Sequence, residues 1–218
     1  MAVEKKFLQK RLEDIQVKDF LKKELDKAGV SSIEIQKTPV ATRIFIKVRR
    51  PGAVVGRKGS GIKAITETLT KQFHIENPQI EIIEVGNSSL DPQLVAEKIG
   101  RSIEAMNKVK QVMRFTLNDV MNAGAIGCEI RIAGKVQGKG AKAKAIKVRQ
   151  GYLKKSGEPV KLVKVGKYVS HMKAGAIGIL VKIVPPGTIF PDKINMEKAR
   201  MKQEQPKAEE KVNENGSN

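Results

Sequence analysis

Tryptophan is absent from these 218 residues, and the only aromatic side chains are six Phe and two Tyr. Stacking on aromatic platforms is therefore not expected to dominate any nucleic-acid contact. A single cysteine, Cys128, excludes an internal disulfide. Its place in an alternating apolar run points to a buried thiol rather than a nucleophile. The two histidines, His74 and His171, lie far apart and with one cysteine make no zinc constellation, so neither a metal nor a cofactor is expected. No Ser/His/Asp set, Cys/His set or carboxylate pair at catalytic spacing stands out, and no catalytic residue is assigned. Long apolar runs are missing too, and the first twenty residues mix charges of both signs. Neither a spanning helix nor a signal peptide is predicted, and a cytosolic protein is expected.

Acidic residues are scarce beside basic ones: 23 against 42, a formal charge of +19. A 40% hydrophobic content is enough to build a core, so the chain should fold, but it repels itself unless a polyanion neutralises it. Nucleic acid and an anionic membrane are the two polyanions to consider. The excess is uneven. Residues 1–90 hold 17 basic and 11 acidic side chains, residues 91–194 hold 20 and 7, and residues 195–218 hold 5 of each.

Apolar periodicity divides the chain into two small α/β units. Leu8, Leu12 and Ile15, and after a break near Gln16 Val17, Leu21, Leu25 and Ala28, recur at helical spacing, predicting two short helical pieces that end at Gly29. Residues 31–37 and 42–49 alternate as strands around a bend at Thr38-Pro39. A helical turn at 53–55, a helix capped by Ser60 with the stripe Ile62, Ile65, Leu69 and Phe73, and a strand over 79–85 complete the first unit, residues 1–86. Residues 87–91 read as a polar linker, with Asp91-Pro92 a cap and first helical residue. In the second unit, residues 92–194, two successive helices end at Gly124. Three alternating strands follow near 126–132, 146–152 and 177–183, with a weaker fourth around 160–169. Beyond Pro185-Pro186 the apolar pattern fades, and residues 195–218 read as a disordered tail. The fold class is α/β (α+β).

An internal echo links Met121-Asn-Ala-Gly-Ala-Ile-Gly127 with Met172-Lys-Ala-Gly-Ala-Ile-Gly178. It reads either as two glycine turns feeding buried strands or as a pair of similar loops presented on one edge of the sheet.

Three features bear on polyanion binding. Gly56-Arg57-Lys58-Gly59 sits between a strand pair and a helix. It is not a Walker loop, because no Gly-Lys-Ser/Thr is present at the required spacing. Its glycines admit a sugar-phosphate backbone and Arg57 and Lys58 neutralise phosphates, as in a KH clamp, unless the loop is a solvated turn. Between Glu129 and Glu158 there is no acidic residue but nine basic ones: Arg131, Lys135, Lys139, Lys142, Lys144, Lys147, Arg149, Lys154 and Lys155. The glycine-rich part of that segment is expected to lie extended along phosphates, the alternative being a solvated charged loop. Gly138-Lys-Gly-Ala-Lys-Ala143 meets a relaxed dinucleotide fingerprint, but no amphipathic helix follows it. Asn107, Lys110, Arg114 and Asn118 fall on one helical face, which is either a wet surface or a nucleic-acid contact.

Arg50-Pro-Gly-Ala-Val-Val-Gly-Arg-Lys-Gly59, the run from Met121 to Val136, Ser156-Gly-Glu-Pro-Val160 and Gly175-Ala-Ile-Gly-Ile-Leu-Val-Lys-Ile183 together resemble the S-three family of small-subunit ribosomal proteins, in its archaeal and eukaryotic branch. The resemblance covers residues 1 to about 190. It implies an N-terminal type II KH domain and a C-terminal domain of two helices on a four-stranded sheet, placed in the head of the small subunit beside the channel where messenger RNA enters. It also implies docking on small-subunit rRNA and on neighbouring head proteins, with basic residues of the second helix helping to open messenger structure. Lys110 and Arg114 match that helix, whereas Gln111 stands where bacterial members carry a further basic residue. No membrane and no small-molecule substrate is implied. Two rivals are a free KH-type regulator and a DNA-repair nuclease or lyase, an activity credited to eukaryotic relatives, but no Schiff-base lysine or catalytic acid supports the second.

Overall fold

The structure, a computed structural model, describes residues 2–191 apart from 39–40, 74, 76, 107, 137–141 and 174, with the backbone alone at residues 2, 3, 6 and 10. The expected tail at 195–218 lies outside the described residues.

The first unit runs α1 (Ala2–Glu24), β1 (Val30–Lys37), β2 (Thr42–Val48), α2 (Pro51–Val55), α3 (Ser60–Phe73) and β3 (Pro78–Glu84). Its sheet has the order β1-β2-β3, with β1 antiparallel and β3 parallel to the central β2. Ile33 lies opposite Ile46, and Ile35 opposite Ile44. Ile44, Ile46 and Val48 are sealed beneath Val17, Leu21 and Leu25 of the α1 side and Ile65 and Leu69 of α3. Each such fully buried side chain contributes roughly 1.5–3 kcal/mol.

Helix α1 departs from the sequence reading: it is continuous across Gln16. At about 100° per residue, Val17, Leu21 and Leu25 share one face, and Leu8, Leu12 and Ile15 point to the opposite one. The change of apolar face resembles a break in the sequence, but backbone hydrogen bonds are indifferent to it. Leu8, Leu12 and Ile15 are accordingly 61, 57 and 54% exposed. Ser60 is a second correction. It has helical φ/ψ of −61° and −35° and is the first residue of α3 rather than a flanking cap.

The second unit runs α4 (Pro92–Met106), α5 (Val109–Asn122), β4 (Gly127–Gly134), β5 (Lys144–Gly151), β6 (Lys164–Met172) and β7 (Gly175–Val184). Asp91 caps α4, its Oδ1 accepting from the backbone N–H groups of Gln93 (2.9 Å) and Leu94 (3.3 Å), with Pro92 at the first helical position. The antiparallel sheet has the order β5-β4-β7-β6. Both helices pack on one face of it, through Ile99, Ile103, Met113, Leu117 and Val120 against Cys128, Ile130, Ile132, Ile179, Val181 and Ile183. Cys128 is fully buried, and burial, followed by the charge of Glu129, pushes its thiol up to about 12. It is a core residue, as expected.

The echo resolves in favour of glycine turns feeding buried strands. β4 and β7 are antiparallel neighbours, Gly127 pairing with Val184 and Gly134 with Ile177, so the two glycine turns lie at opposite ends of the sheet. The fourth strand starts later than expected. Pro159 lacks an N–H and sits at the start of a 3₁₀ turn, Glu158–Leu162, which takes Val160 out of the sheet. The apolar pattern also outlasts Pro186. Phe190 is 1% exposed, packs with Val163 and Val184, and meets the Tyr152 ring edge-on at 5.3 Å.

The two units touch along α4. Arg101 Nη2 donates to the Asp26 carbonyl at 2.7 Å, lies 3.0 Å from Asp26 Oδ1 and pairs with Glu97, and Ser31 Oγ donates to Asp91 Oδ2.

Candidate nucleic-acid interface

Pro51 starts α2, and the chain leaves that helix at Gly56, whose N–H donates to the Gly52 carbonyl at 3.1 Å. Gly56 takes φ +69°, Lys58 φ +52° and Gly59 φ +79°. A lysine held in the left-handed region costs about 1–2 kcal/mol, and such strain recurs at ligand-contacting loops. Here it turns the loop sharply, leaving Arg57 and Lys58 exposed ahead of α3. A third glycine, which the four-residue motif does not contain, makes the arrangement possible. A Cβ on Gly61 would lie 2.4 Å from the Val54 carbonyl oxygen, so α2 and α3 approach this closely only over a bare backbone.

In the second unit the side of the sheet away from the helices carries the basic residues. Ile130, Ile132, Ile146 and Val148 pack with the core. Strand alternation therefore places Arg131, Lys147 and Arg149 on the opposite face, with Lys167 of β6 and Lys182 of β7. One carboxylate sits among them. Glu129 lies across from Arg149 on one side and Lys182 on the other. It is buried, and Lys147 Nζ stands 3.0 Å from its Oε2 without the angle of a hydrogen bond, so that oxygen has an ion contact but no hydrogen-bond partner among the described residues. Lys155 reaches the same patch. Its ammonium is pushed below the ordinary lysine value, first by the charge of Lys147 and then by that of Arg149.

The structure thus gathers Arg131, Lys147, Arg149 and Lys155 of the acid-free segment. Lys135, Lys142 and Lys144 are exposed near the ends of β4 and β5, Lys154 is half-buried in the loop after β5, and Lys139 lies outside the described residues. Lys167 and Lys182 were missed from the sequence. Their signal was the polar phase of the alternation in two strands read mainly for their apolar phase.

Helix α5 turns Lys110, Gln111, Arg114 and Asn118 to solvent, while Val112, Met113, Thr116 and Leu117 face inward. Asn107 lies outside the described residues. Phe115 is 61% exposed on the same outer face, another residue the stripe alone did not mark. Because α5 covers the opposite side of the sheet from the basic patch, the α5 cations and the sheet cations point away from each other. Two separate surfaces result, and the Gly56–Gly59 loop provides a third.

No group of three or more His, Cys, Asp and Glu among the described residues is placed to hold a metal, and no described helix is long and apolar enough to cross a membrane. The KH domain family matches residues 16–90, and the family described as ribosomal protein S3, C-terminal domain, matches residues 99–183. The small ribosomal subunit protein uS3 of Methanocaldococcus jannaschii is 41% identical over 193 residues, covering 88% of this chain and 92% of the relative. The chain belongs to the uS3 family. The uS3 protein of Methanobrevibacter smithii is 37% identical over 195 residues (89% of this chain, 77% of the relative), and that of Methanothermobacter thermautotrophicus is 38% identical over 192 (88% and 74%). These relatives are named as ribosomal proteins, and a uS3 protein is a structural component rather than an enzyme.

Proposed function

We propose that the chain is a structural constituent of the small ribosomal subunit head, held on small-subunit rRNA through phosphate contacts, with α5 lining the channel by which messenger RNA enters. In this reading residues 1–86 are the KH unit, 87–91 a linker, 92–194 the principal rRNA-binding unit and 195–218 a tail. The observation that carries it is the helix-free sheet face, where the strand register gathers Arg131, Lys147, Arg149, Lys167 and Lys182 around the single carboxylate of Glu129. Cations crowded in this way favour a polyanion partner, and family membership makes small-subunit rRNA that polyanion. The Gly56–Gly59 loop adds a second contact, with Arg57 and Lys58 on phosphates. Lys110 and Arg114, on the side away from the anchoring face, are left to meet messenger RNA and to help position and open it. Neighbouring head proteins are the remaining partners; neither a membrane nor a small-molecule substrate is part of the reading.

The test is binding of the intact chain to small-subunit rRNA as salt is varied. If six or more phosphates are neutralised, affinity falls by about 10³-fold between roughly 50 and 200 mM salt. A flat response contradicts the reading.

A further inference from the structure

The cleft between the two units holds a group of cations that belongs to none of the three surfaces above. A cavity of about 230 Å³ is lined by Lys27 and the adjacent Arg49 and Arg50 from the first unit, and by Glu97, Lys98 and Arg101 of α4 from the second. A smaller cavity of about 70 Å³ shares Arg49 and Lys98 with it and adds Ser88, Ser89 and Thr116. Together they form a groove along α4 between Leu94 and Ser102, cationic at one end and lined at the other by hydroxyls and by the Asp119 carboxylate.

The charges in this groove are not balanced. Arg101 is engaged with Asp26 and Glu97, and Lys98 lies 2.8 Å from Asp119. Lys27, Arg49 and Arg50 form no ion pair among the described residues. The main chain of the two arginines is nevertheless anchored beside the cavity, since the Arg49 N–H donates to the Gly29 carbonyl at 2.9 Å and the Arg50 N–H to the Ala28 carbonyl at 3.2 Å. Two guanidinium groups and an ammonium held at the rim of a cavity, beside several hydroxyls, make a donor set for phosphate oxygens and ribose hydroxyls.

We infer that this cleft binds the phosphate backbone of RNA, with Arg49, Arg50 and Lys27 on phosphate oxygens and the hydroxyl-lined end beside the adjoining ribose. The inference rests on the chain being bound to rRNA and adds a site to that reading. RNA in the groove touches both units at once and adds to the contacts that set their relative orientation, the polar ones around Arg101 and Asp91 and the packing of Leu94 beside Gly29.

The test compares the intact wild-type chain with Arg49→Gln/Arg50→Gln and with Lys27→Gln, each binding small-subunit rRNA over a range of salt. Loss of two phosphate contacts makes the fall in affinity between about 50 and 200 mM salt about 7- to 12-fold smaller than for wild type, and loss of one makes it about threefold smaller. Lys27 is exposed, so its variant remains informative should the arginine pair be needed for folding. A steep wild-type response left unchanged in both variants, or affinity lost with no change of slope, overturns the inference while leaving the ribosomal reading intact. A wild-type chain indifferent to salt contradicts the ribosomal reading itself.

Discussion

Arg131 and Lys147 are register partners across β4 and β5, two cations directly opposite each other on the helix-free face of the sheet. Like charges so placed destabilise a sheet by a few tenths of a kcal/mol up to about 1 kcal/mol. Glu129, beside them, engages Lys147 and leaves Arg131 without an ion pair among the described residues. Arg131→Gln is therefore expected to raise the thermal midpoint of the RNA-free protein by about 1–4 °C while weakening its binding to small-subunit rRNA. Calorimetry and binding on the same preparation check both, and a lowered midpoint with unchanged binding counts against the argument.

At the end of the KH loop and the start of α3 two glycines serve different ends. Nothing crowds a Cβ on Gly59, so Gly59→Ala is expected to cost about 1–2 kcal/mol through its φ of +79° alone. Gly61 has no such φ requirement, but its missing Cβ lets the Val54 carbonyl come close. Gly61→Ala should destabilise the protein by about 1–3 kcal/mol and separate α2 from α3. Denaturant unfolding measures both, and a Gly61→Ala variant as stable as wild type contradicts the packing described.

On the other side of the molecule, Lys110→Ala with Arg114→Ala removes two exposed charges from α5 without touching the core. Assembly into small subunits should be unchanged, while translation through a structured messenger slows relative to an unstructured one. Equal rates on hairpin and unstructured templates would show that α5 does not act on messenger RNA.

At the junction of the units, burial raises the pKa of Glu97 above the ordinary 4.5, opposed by the charge of Arg101. A carboxyl that holds its proton more tightly when folded adds stability that is complete below its unfolded pKa and is lost as pH rises through its folded pKa. Glu97→Gln cannot ionise. Its stability relative to wild type should therefore rise between about pH 4 and pH 7. Thermal melts at both values read this directly, and a difference that is constant or falls with pH contradicts it.

The two-unit organisation, the alternation of the sheet strands and the Gly56–Gly59 loop were legible because each leaves a local periodic or spacing signal. What escaped depends on contacts distant in sequence. The opposed apolar faces of α1 look like a break until the helix is seen to be covered only beyond Gln16. Phe190 is a single apolar residue after a turn, and nothing local shows that Val163 and Val184 will enclose it. Gly61 is required by a carbonyl that only the packing of α2 on α3 brings near. Lys167 and Lys182 join Arg131 and Lys147 only through the order β5-β4-β7-β6, which strand patterns alone do not specify. The cleft cations, Lys27, Arg49 and Arg50, line one cavity only where the first unit meets α4.

Covalent labelling of lysines in the free chain and in assembled small subunits, read by mass spectrometry, tests the central claim most directly. The account predicts that Lys58, Lys155, Lys167 and Lys182 react in the free chain, are shielded in the subunit, and react again once the RNA is digested. Equal reactivity of these four in the free and assembled states, or shielding that survives removal of the RNA, would contradict it.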